Sequence, residues 1–354
     1  MTYPTISIVI PTLNSAKVLN KCLKSINSQD YPKQATAKSV SGRIEILITD
    51  GGSTDKTIKI AKGYKCKIFK NPLKTGESAK AIGIKKAKNR YIVLIDSDNI
   101  LPNKSWLKKM IKPLEKDSSL IGSEPIKFTY RKSGGFIERY SALIGANDPY
   151  AFVTKVYDRF SYLTNTWTGL KIDQIDKDQY IKITLKPNST LPTIGANGTI
   201  LRSSFLHRHP EPVEGSPSNY FFDIDLISSI LQKTQKPLYF AKVKTGIIHS
   251  YCESSISKFI RKQFRRLTDY YTYLPIRQFN WSKTNRIGII KFSLYTLTIF
   301  PPIIDSFRGY FKKPDPAWFF HPLACFISFF AYSLTTIKYH LKLLKPISRT
   351  KWQQ

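Results

Sequence analysis

The sequence of 354 residues is short of acid: 24 Asp and Glu stand against 56 Lys and Arg, a formal net charge of +32. An excess of that size points to phosphate-bearing substrates or an anionic membrane surface. Nucleic acid carries the same charge, but the basic residues are spread along the chain and no nucleic-acid-binding motif accompanies them, so none is expected as a partner. Cysteine is scarce too. Cys22, Cys66, Cys252 and Cys325 lie far apart with no metal-ligand spacing, which excludes a cysteine metal centre and reads as reduced thiols in a cytoplasmic protein. Glycine is missing from residues 11–16, just after the first apolar run. That excludes the Gly-x-Gly-x-x-Gly fingerprint of a dinucleotide-binding domain. It also leaves a nucleotidyltransferase without its Gly-rich phosphate loop. No signal peptide is expected, since the chain enters its first strand almost at once.

What is present is a repeating strand–turn–helix pattern. Ile6-Ser7-Ile8-Val9-Ile10 reads as a strand, and Pro11-Thr12-Leu13-Asn14-Ser15 as a turn opening a helix with Val18, Leu19, Leu23 and Ile26 at helical spacing. A second strand over residues 44–49 ends at Asp50-Gly51-Gly52-Ser53-Thr54-Asp55, where glycine permits a tight turn and residues 53–55 offer a cap for a helix starting near Lys56. The apolar run 91–95 ends in Asp96-Ser97-Asp98. Such a series predicts an α/β fold with a mostly parallel sheet and polar strand ends along one edge. Two carboxylates just past a strand end suit a hard divalent cation that also holds substrate phosphates, which makes Asp96 and Asp98 candidate ligands for Mg2+ or Mn2+.

Four segments together resemble the family 2 nucleotide-sugar glycosyltransferases of the GT-A fold: residues 7–14, residues 48–55, Gly76-Glu77-Ser78-Ala79-Lys80-Ala81-Ile82-Gly83-Ile84, and Leu94-Ile95-Asp96-Ser97-Asp98-Asn99. The resemblance implies a Rossmann-like sheet flanked by helices and a UDP- or GDP-sugar donor laid across the strand ends. Donor contacts are expected from Pro11, Thr12, Asn14, Asp50 and Gly51, with Asp50 accepting a hydrogen bond from a base N–H. Lys80, Asp96 and Ser97 are expected near the diphosphate. Gly195 and Asn197, in the Gly-rich segment 193–202, are expected on the acceptor side. Family members carry an acidic pair at the start of a later helix. Here Phe222 holds the first acidic position, so the match falls on Asp223, with Asp225 next, as candidates for the general base. The resemblance also offers His249 as a third metal ligand. Gln263 and Arg266 resemble the Gln-x-x-Arg-Trp motif of processive relatives, with Leu267 in place of the tryptophan. The implied reaction is a single inverting displacement. A catalytically inactive binding or scaffold protein on the same fold and a nucleotidyltransferase are the alternatives.

These motifs divide the chain into a donor-binding half over residues 1–122, an acceptor-binding half over 123–260, and a C-terminal region over 261–354. Within the last, residues 318–337 form a 20-residue stretch without formal charge, long enough to span the roughly 30 Å of a bilayer's hydrocarbon. Residues 287–304 are also apolar, interrupted by Lys291 and Pro301-Pro302. The tail carries Lys338, Lys342, Lys345, Arg349 and Lys351 and no acid, so it is expected to stay cytoplasmic. A single span would place it outside. A two-helix hairpin or helices lying in the interface keep both ends on the cytoplasmic face of the cell membrane, beside a glycan or polyprenyl-phosphate-linked acceptor. Residues 207–219 read as an exposed Pro/Glu/Ser-rich loop.

Overall fold

The computed structural model describes residues 3–32, 44–195, 197–208, 220–277, 279 and 286–345. Strand β1 (Ile6–Thr12), helix α1 (Ala16–Asn27), β2 (Ile44–Asp50), α2 (Thr57–Gly63), β3 (Lys67–Lys70), α3 (Gly76–Lys86) and β4 (Tyr91–Leu94) follow one another as the periodicity predicts. Then come β5 (Asn99–Ile100), α4 (Trp106–Lys116), β6 (Leu120–Phe128), α5 (Phe136–Ile144), α6 (Pro149–Val153), β7 (Asp173–Asp176), β8 (Tyr180–Leu185) and β9 (Thr199–Arg202). Helices α7 (Ser203–Arg208) and α8 (Asp223–Thr234), β10 (Leu238–His249), and helices α9 (Ile256–Tyr273), α10 (Arg286–Leu297), α11 (Phe300–Lys312) and α12 (His321–His340) complete the order. Of the expected loop 207–219, residues 209–219 lie outside the described residues, as do Ala196, Arg349 and Lys351.

Two compact units divide the chain. One comprises Met1–Ile126, Ile172–Ser189 and Ile194–His249, the other Lys127–Lys171, Thr190–Thr193 and Ser250–Gln354. The first is organised around a sheet of order β3-β2-β1-β4-β9-β6-β10-β8-β7, with β5 paired to β10. The four strands β3-β2-β1-β4 are mutually parallel. Ile6, Ile8, Val9 and Ile10 of β1 are all fully buried, which is why that strand reads as an unbroken apolar run rather than an alternating one. Helix α3 lies close on β1 at Gly83, where any Cβ would collide with Val9.

Past β4 the sheet departs from the mostly parallel expectation: β9 pairs antiparallel with β4 and β6, and β8 pairs antiparallel with both β7 and β10. The sheet is therefore mixed. The three residues between β7 and β8 are enough for a hairpin but far too few for the crossover that a parallel neighbour needs.

The second unit is helical. Its core joins Ile137, Tyr140 and Leu143 of α5 and Phe152 of α6 to Phe259, Phe292, Trp318, Phe320 and Cys325. His321 sits in that core, with Nδ1 2.7 Å from the Tyr140 hydroxyl and Nε2 2.9 Å from that of Tyr295. Asp315 is fixed by Arg139 Nε at 2.9 Å and by the Tyr130 hydroxyl at 2.7 Å.

Candidate active site

The ends of β1 and β2 stand side by side because Thr12 and Asp50 are register partners in the parallel ladder. Their loops are latched together. Asp50 Oδ1 accepts from the hydroxyls of Thr12 (2.8 Å) and Ser53 (2.5 Å), and Oδ2 from the amides of Gly52 (2.9 Å) and Ser53 (2.8 Å). Gly52 needs its φ of +92° to turn its amide there. Asn14, itself left-handed at φ 46°, accepts from the Thr54 amide through Oδ1 at 2.6 Å and donates its own amide to Ser53 Oγ at 2.7 Å. Asp55 serves both helices that follow: Oδ2 accepts from the Ala16 amide at 3.0 Å and Oδ1 from that of Thr57 at 2.9 Å.

A carboxylate offers about four acceptor positions, and this loop fills all four on Asp50. Those four bonds hold Asp50 beside Thr12 and the turn that carries Gly51.

The β4 end joins the same edge. Ser97 Oγ donates to Ser15 Oγ at 3.1 Å, and Asn99 Oδ1 accepts the Asp96 amide at 3.0 Å, closing the Asp-Ser-Asp turn. Asn99 also donates from Nδ2 to Asn197 Oδ1 at 3.0 Å, bringing the segment with Gly195 and Asn197 to this turn. Gly198 follows at φ +83° and donates its amide to the Leu94 carbonyl. The short β5–β10 ladder sets His249 opposite Asn99. That register explains why buried His249 lies with Nε2 3.4 Å from Asp98 Oδ2, across 151 residues of sequence.

The start of α8 reaches the site through α3. Phe221 donates its amide to the Glu77 carbonyl at 3.1 Å, and Asp223 then falls on the first turn of α8, where the helix dipole favours an acid. Asp223 Oδ2 lies 3.1 Å from Lys80 Nζ, both side chains nearly buried. Loss of water holds the Asp223 carboxyl above the usual carboxylate range, with Lys80 opposing and Asp96 adding repulsion. For Lys80 burial works against the charge, but Asp223, Asp96 and Glu77 together keep it firmly protonated. Asp223 Oδ1 is buried with no hydrogen-bond partner among the described residues. Asp225, two positions on, is buried outright.

Whether these groups suit a divalent cation turns on the donor set. Among the described residues no cluster of three or more His, Cys, Asp or Glu side chains forms a closed cage. Asp98 and His249 do converge, and Mg2+ characteristically takes one or two carboxylates and completes its shell with water and substrate phosphates. The set fits a cation completed by substrate.

Gln263 and Arg266 belong to the other unit, on α9. There Arg266 Nη1 donates to Gln263 Oε1 at 2.8 Å and lies 3.0 Å from Asp148 Oδ2, and the Tyr332 hydroxyl lies within hydrogen-bond distance of both acceptors, nearer to Asp148 at 2.5 Å. None of the four cysteines is in a disulfide, and burial pushes the Cys66 thiol up to about 12. Two contributors escaped the sequence reading: Asn99, which closes one turn and tethers a second segment, and the pairing of Lys80 with Asp223. An Asn three residues after Asp96 is a turn signal that could have revealed the first. Nothing local signals the second.

Residues 7–205, more than half of the chain, match the family model for glycosyl transferase family 2. The glycosyltransferase AglE of Haloferax volcanii is 28% identical over 148 residues, covering 40% of this chain and 45% of that protein. A dolichyl N-acetyl-alpha-D-glucosaminyl phosphate 3-beta-D-2,3-diacetamido-2,3-dideoxy-beta-D-glucuronosyltransferase of Methanococcus voltae is 36% identical over 118 residues, covering 31% of this chain and 34% of that protein. The matched segment thus spans less than half the length of either relative. Among solved structures, the mannosyltransferase PcManGT from Pyrobaculum calidifontis, in complex with GDP-Man and Mn2+, is 15% identical, covers 99% of this chain and 83% of that one, and has a TM-score of 0.46, too loose a likeness to carry an argument.

Proposed function

The chain belongs to glycosyl transferase family 2, and from that premise we propose that it moves a sugar from a UDP- or GDP-sugar to an acceptor hydroxyl or lipid phosphate. The observation that carries the reading is the buried Asp223, with one carboxylate oxygen on Lys80 and the other without a partner among the described residues, in the unit that also holds the Asp98–His249 pair. Asp223 Oδ1 takes the proton of the acceptor hydroxyl as that oxygen bonds to the anomeric carbon from the face opposite the diphosphate. The bond from the anomeric carbon to the diphosphate oxygen breaks in the same displacement, and the configuration inverts. Asp225 supports the first turn of α8. Lys80 offers its charge to the diphosphate. Pro11, Thr12, Asn14, Asp50 and Gly51 contact the donor's nucleoside, with Asp50 accepting from a base N–H, and Ser97 ties their loops to the Asp-Ser-Asp turn. Asp98 and His249, with Asp96 beside them, would hold Mg2+ or Mn2+, which when bound supplies positive charge to the leaving diphosphate.

Donor binding is assigned to residues 1–122, acceptor binding to 123–260 with Gly195 and Asn197, and membrane association on the cytoplasmic face to 261–354, where Gln263 and Arg266 are candidates for acceptor or diphosphate contact. These are functional segments, not compact units. The acceptor class is a glycan or a polyprenyl-phosphate-linked sugar, as in assembly of cell-surface polysaccharide or glycolipid. The name of the Methanococcus voltae relative, a transferase acting on a dolichyl phosphate-linked sugar, supports the lipid-linked form. Nucleotide sugars screened with Mn2+ and a polyprenyl-phosphate-linked acceptor are expected to yield nucleoside diphosphate and glycosylated lipid. Release of pyrophosphate from a nucleoside triphosphate and a sugar phosphate in a parallel assay would show a nucleotidyltransferase instead, and no turnover in either assay would leave the chain a binding protein.

A further inference from the structure

The C-terminal helices of the second unit turn many of their large apolar side chains outward. Along α12 and the turn before it, Phe319, Leu323, Phe326, Phe330 and Ile337 are 45–57% exposed. Their steps of four, three, four and seven residues draw one stripe down a helix. The opposite face, with His321, Ala324, Cys325, Ser328, Ala331 and Thr335, is small or polar and is buried. Helix α10 also exposes large apolar side chains, Ile287, Ile290, Leu294 and Leu297, while Phe292 and Thr296 face the core. So does α11, with exposed Phe300, Ile304, Phe307 and Phe311 over buried Ser306 and Gly309. A helix facing water is built the other way round, apolar side inward. Small residues on the packed face are what lets helices approach when their large side chains face lipid; at Gly309 any Cβ would collide with the Trp318 ring.

Charge selects the solvent for this face. Residues 286–345 hold two acids, and both are engaged inside the unit: Asp305 accepts from the Tyr295 hydroxyl at 2.8 Å, and Asp315 from Arg139 and Tyr130. Lys291, Lys338, Lys342 and Lys345 are exposed. A second copy of this chain would bring lysines against lysines, whereas anionic headgroups complement them. The buried face decides the orientation. Lifting α12 out to cross a bilayer would break the His321 bridge to Tyr140 and Tyr295 and empty the core around Trp318 and Cys325. Helices α10 and α11 meet at 82°, so they form no straight span either.

We propose that α10, α11 and α12 are a monotopic docking face that lies in the plane of an anionic leaflet, its outward stripes buried in the acyl boundary while its inner face stays packed in the second unit. The proposal rests on the membrane association in the function proposed above and deepens it. The test is flotation of the full-length chain with vesicles of phosphatidylcholine alone and of phosphatidylcholine mixed with phosphatidylglycerol, read beside nucleoside diphosphate release on the same samples. Binding is expected to favour the anionic vesicles. Phe326→Glu and Phe330→Glu are each expected to weaken it by about tenfold or more, the loss of one buried aromatic anchor, with melting temperature and donor turnover unchanged. Ile175→Glu, at an equally exposed site on β7, is expected to leave binding alone. Environment-sensitive labels on cysteines placed at Leu323, Phe330 and Ile337, quenched by nitroxide lipids, are expected to report one shallow depth. Depths graded through the bilayer centre, phenylalanine variants that float as well as the parent, or a vesicle-free dimer that the same variants dissolve would each overturn the proposal. Lost flotation with intact donor turnover defeats the docking face alone; intact flotation without turnover supports it and defeats the catalytic reading.

Discussion

Asp223 is paired with Lys80 at 3.1 Å. Its carboxyl is held above the usual range chiefly by lost water, with Lys80 pulling the other way. A general base works when deprotonated, so turnover is expected to fall as pH drops through that raised pKa. Lys80→Met removes the opposing cation and is expected to move the acidic limb of the kcat profile to higher pH, and Lys80→Arg to restore it. A Lys80→Met enzyme whose limb stays in place would confine Lys80 to the diphosphate. Asp223→Asn is expected to lower kcat by about 10²- to 10⁴-fold while donor affinity holds, because a base acts in the transition state. If Asp225→Asn costs more, the role passes to Asp225. Asp98 should behave in the opposite way. Its loss from the pair with His249 is expected to abolish Mn2+-dependent donor binding in calorimetry, and unchanged binding by Asp98→Asn would remove it from the metal set.

Elements were legible in the sequence where a local rule governs them. Strands β1 and β4 are buried on both faces, so their apolar runs stand out, and the polar turns that follow β1, β2 and β4 mark the site's edge. The hydrogen-bond economy of the latch was not legible. The four donors to Asp50 come from a strand and a loop whose orientation only tertiary structure fixes. The mixed sheet was hidden for a related reason: strand direction past β4 depends on pairings across long stretches of sequence, not on composition. Contact between elements yields its own test. Gly83 is the point where α3 closes on β1, and a Cβ there would collide with Val9. Gly83→Ala is therefore expected to destabilise the protein by about 1–3 kcal/mol despite the better helix propensity of alanine. Adding Val9→Ala should recover part of that loss in denaturant titrations. If the second substitution only adds to the first, the two residues are not in conflict.

At the scale of the whole molecule, hydropathy found the C-terminal apolar stretches but carried no information about which way they face. The same phenylalanines could have filled a core or lined a membrane, and only the packing partners tell. Those partners also decide whether the C-terminal region is a detachable anchor. The core of the second unit joins Ile137, Tyr140, Leu143 and Phe152 to Phe292, Trp318, Phe320 and Cys325, so segments far apart in sequence fold as one body. Removing all residues after 285 would strip large buried side chains from that core. Losing a single buried Phe or Trp costs about 3–5 kcal/mol, against a total stability of about 5–15 kcal/mol for a domain. The truncated chain is therefore expected to lose the second unit altogether, with rapid proteolysis within residues 127–171 and recovery mainly in aggregates. Exposed-face substitutions such as Phe326→Glu leave this core intact and should keep the parent melting temperature. Limited proteolysis and thermal melts of the two variants side by side would check both expectations. A truncated protein that stays monodisperse and melts like the full chain would show that the α5–α6 region holds its fold without the C-terminal helices.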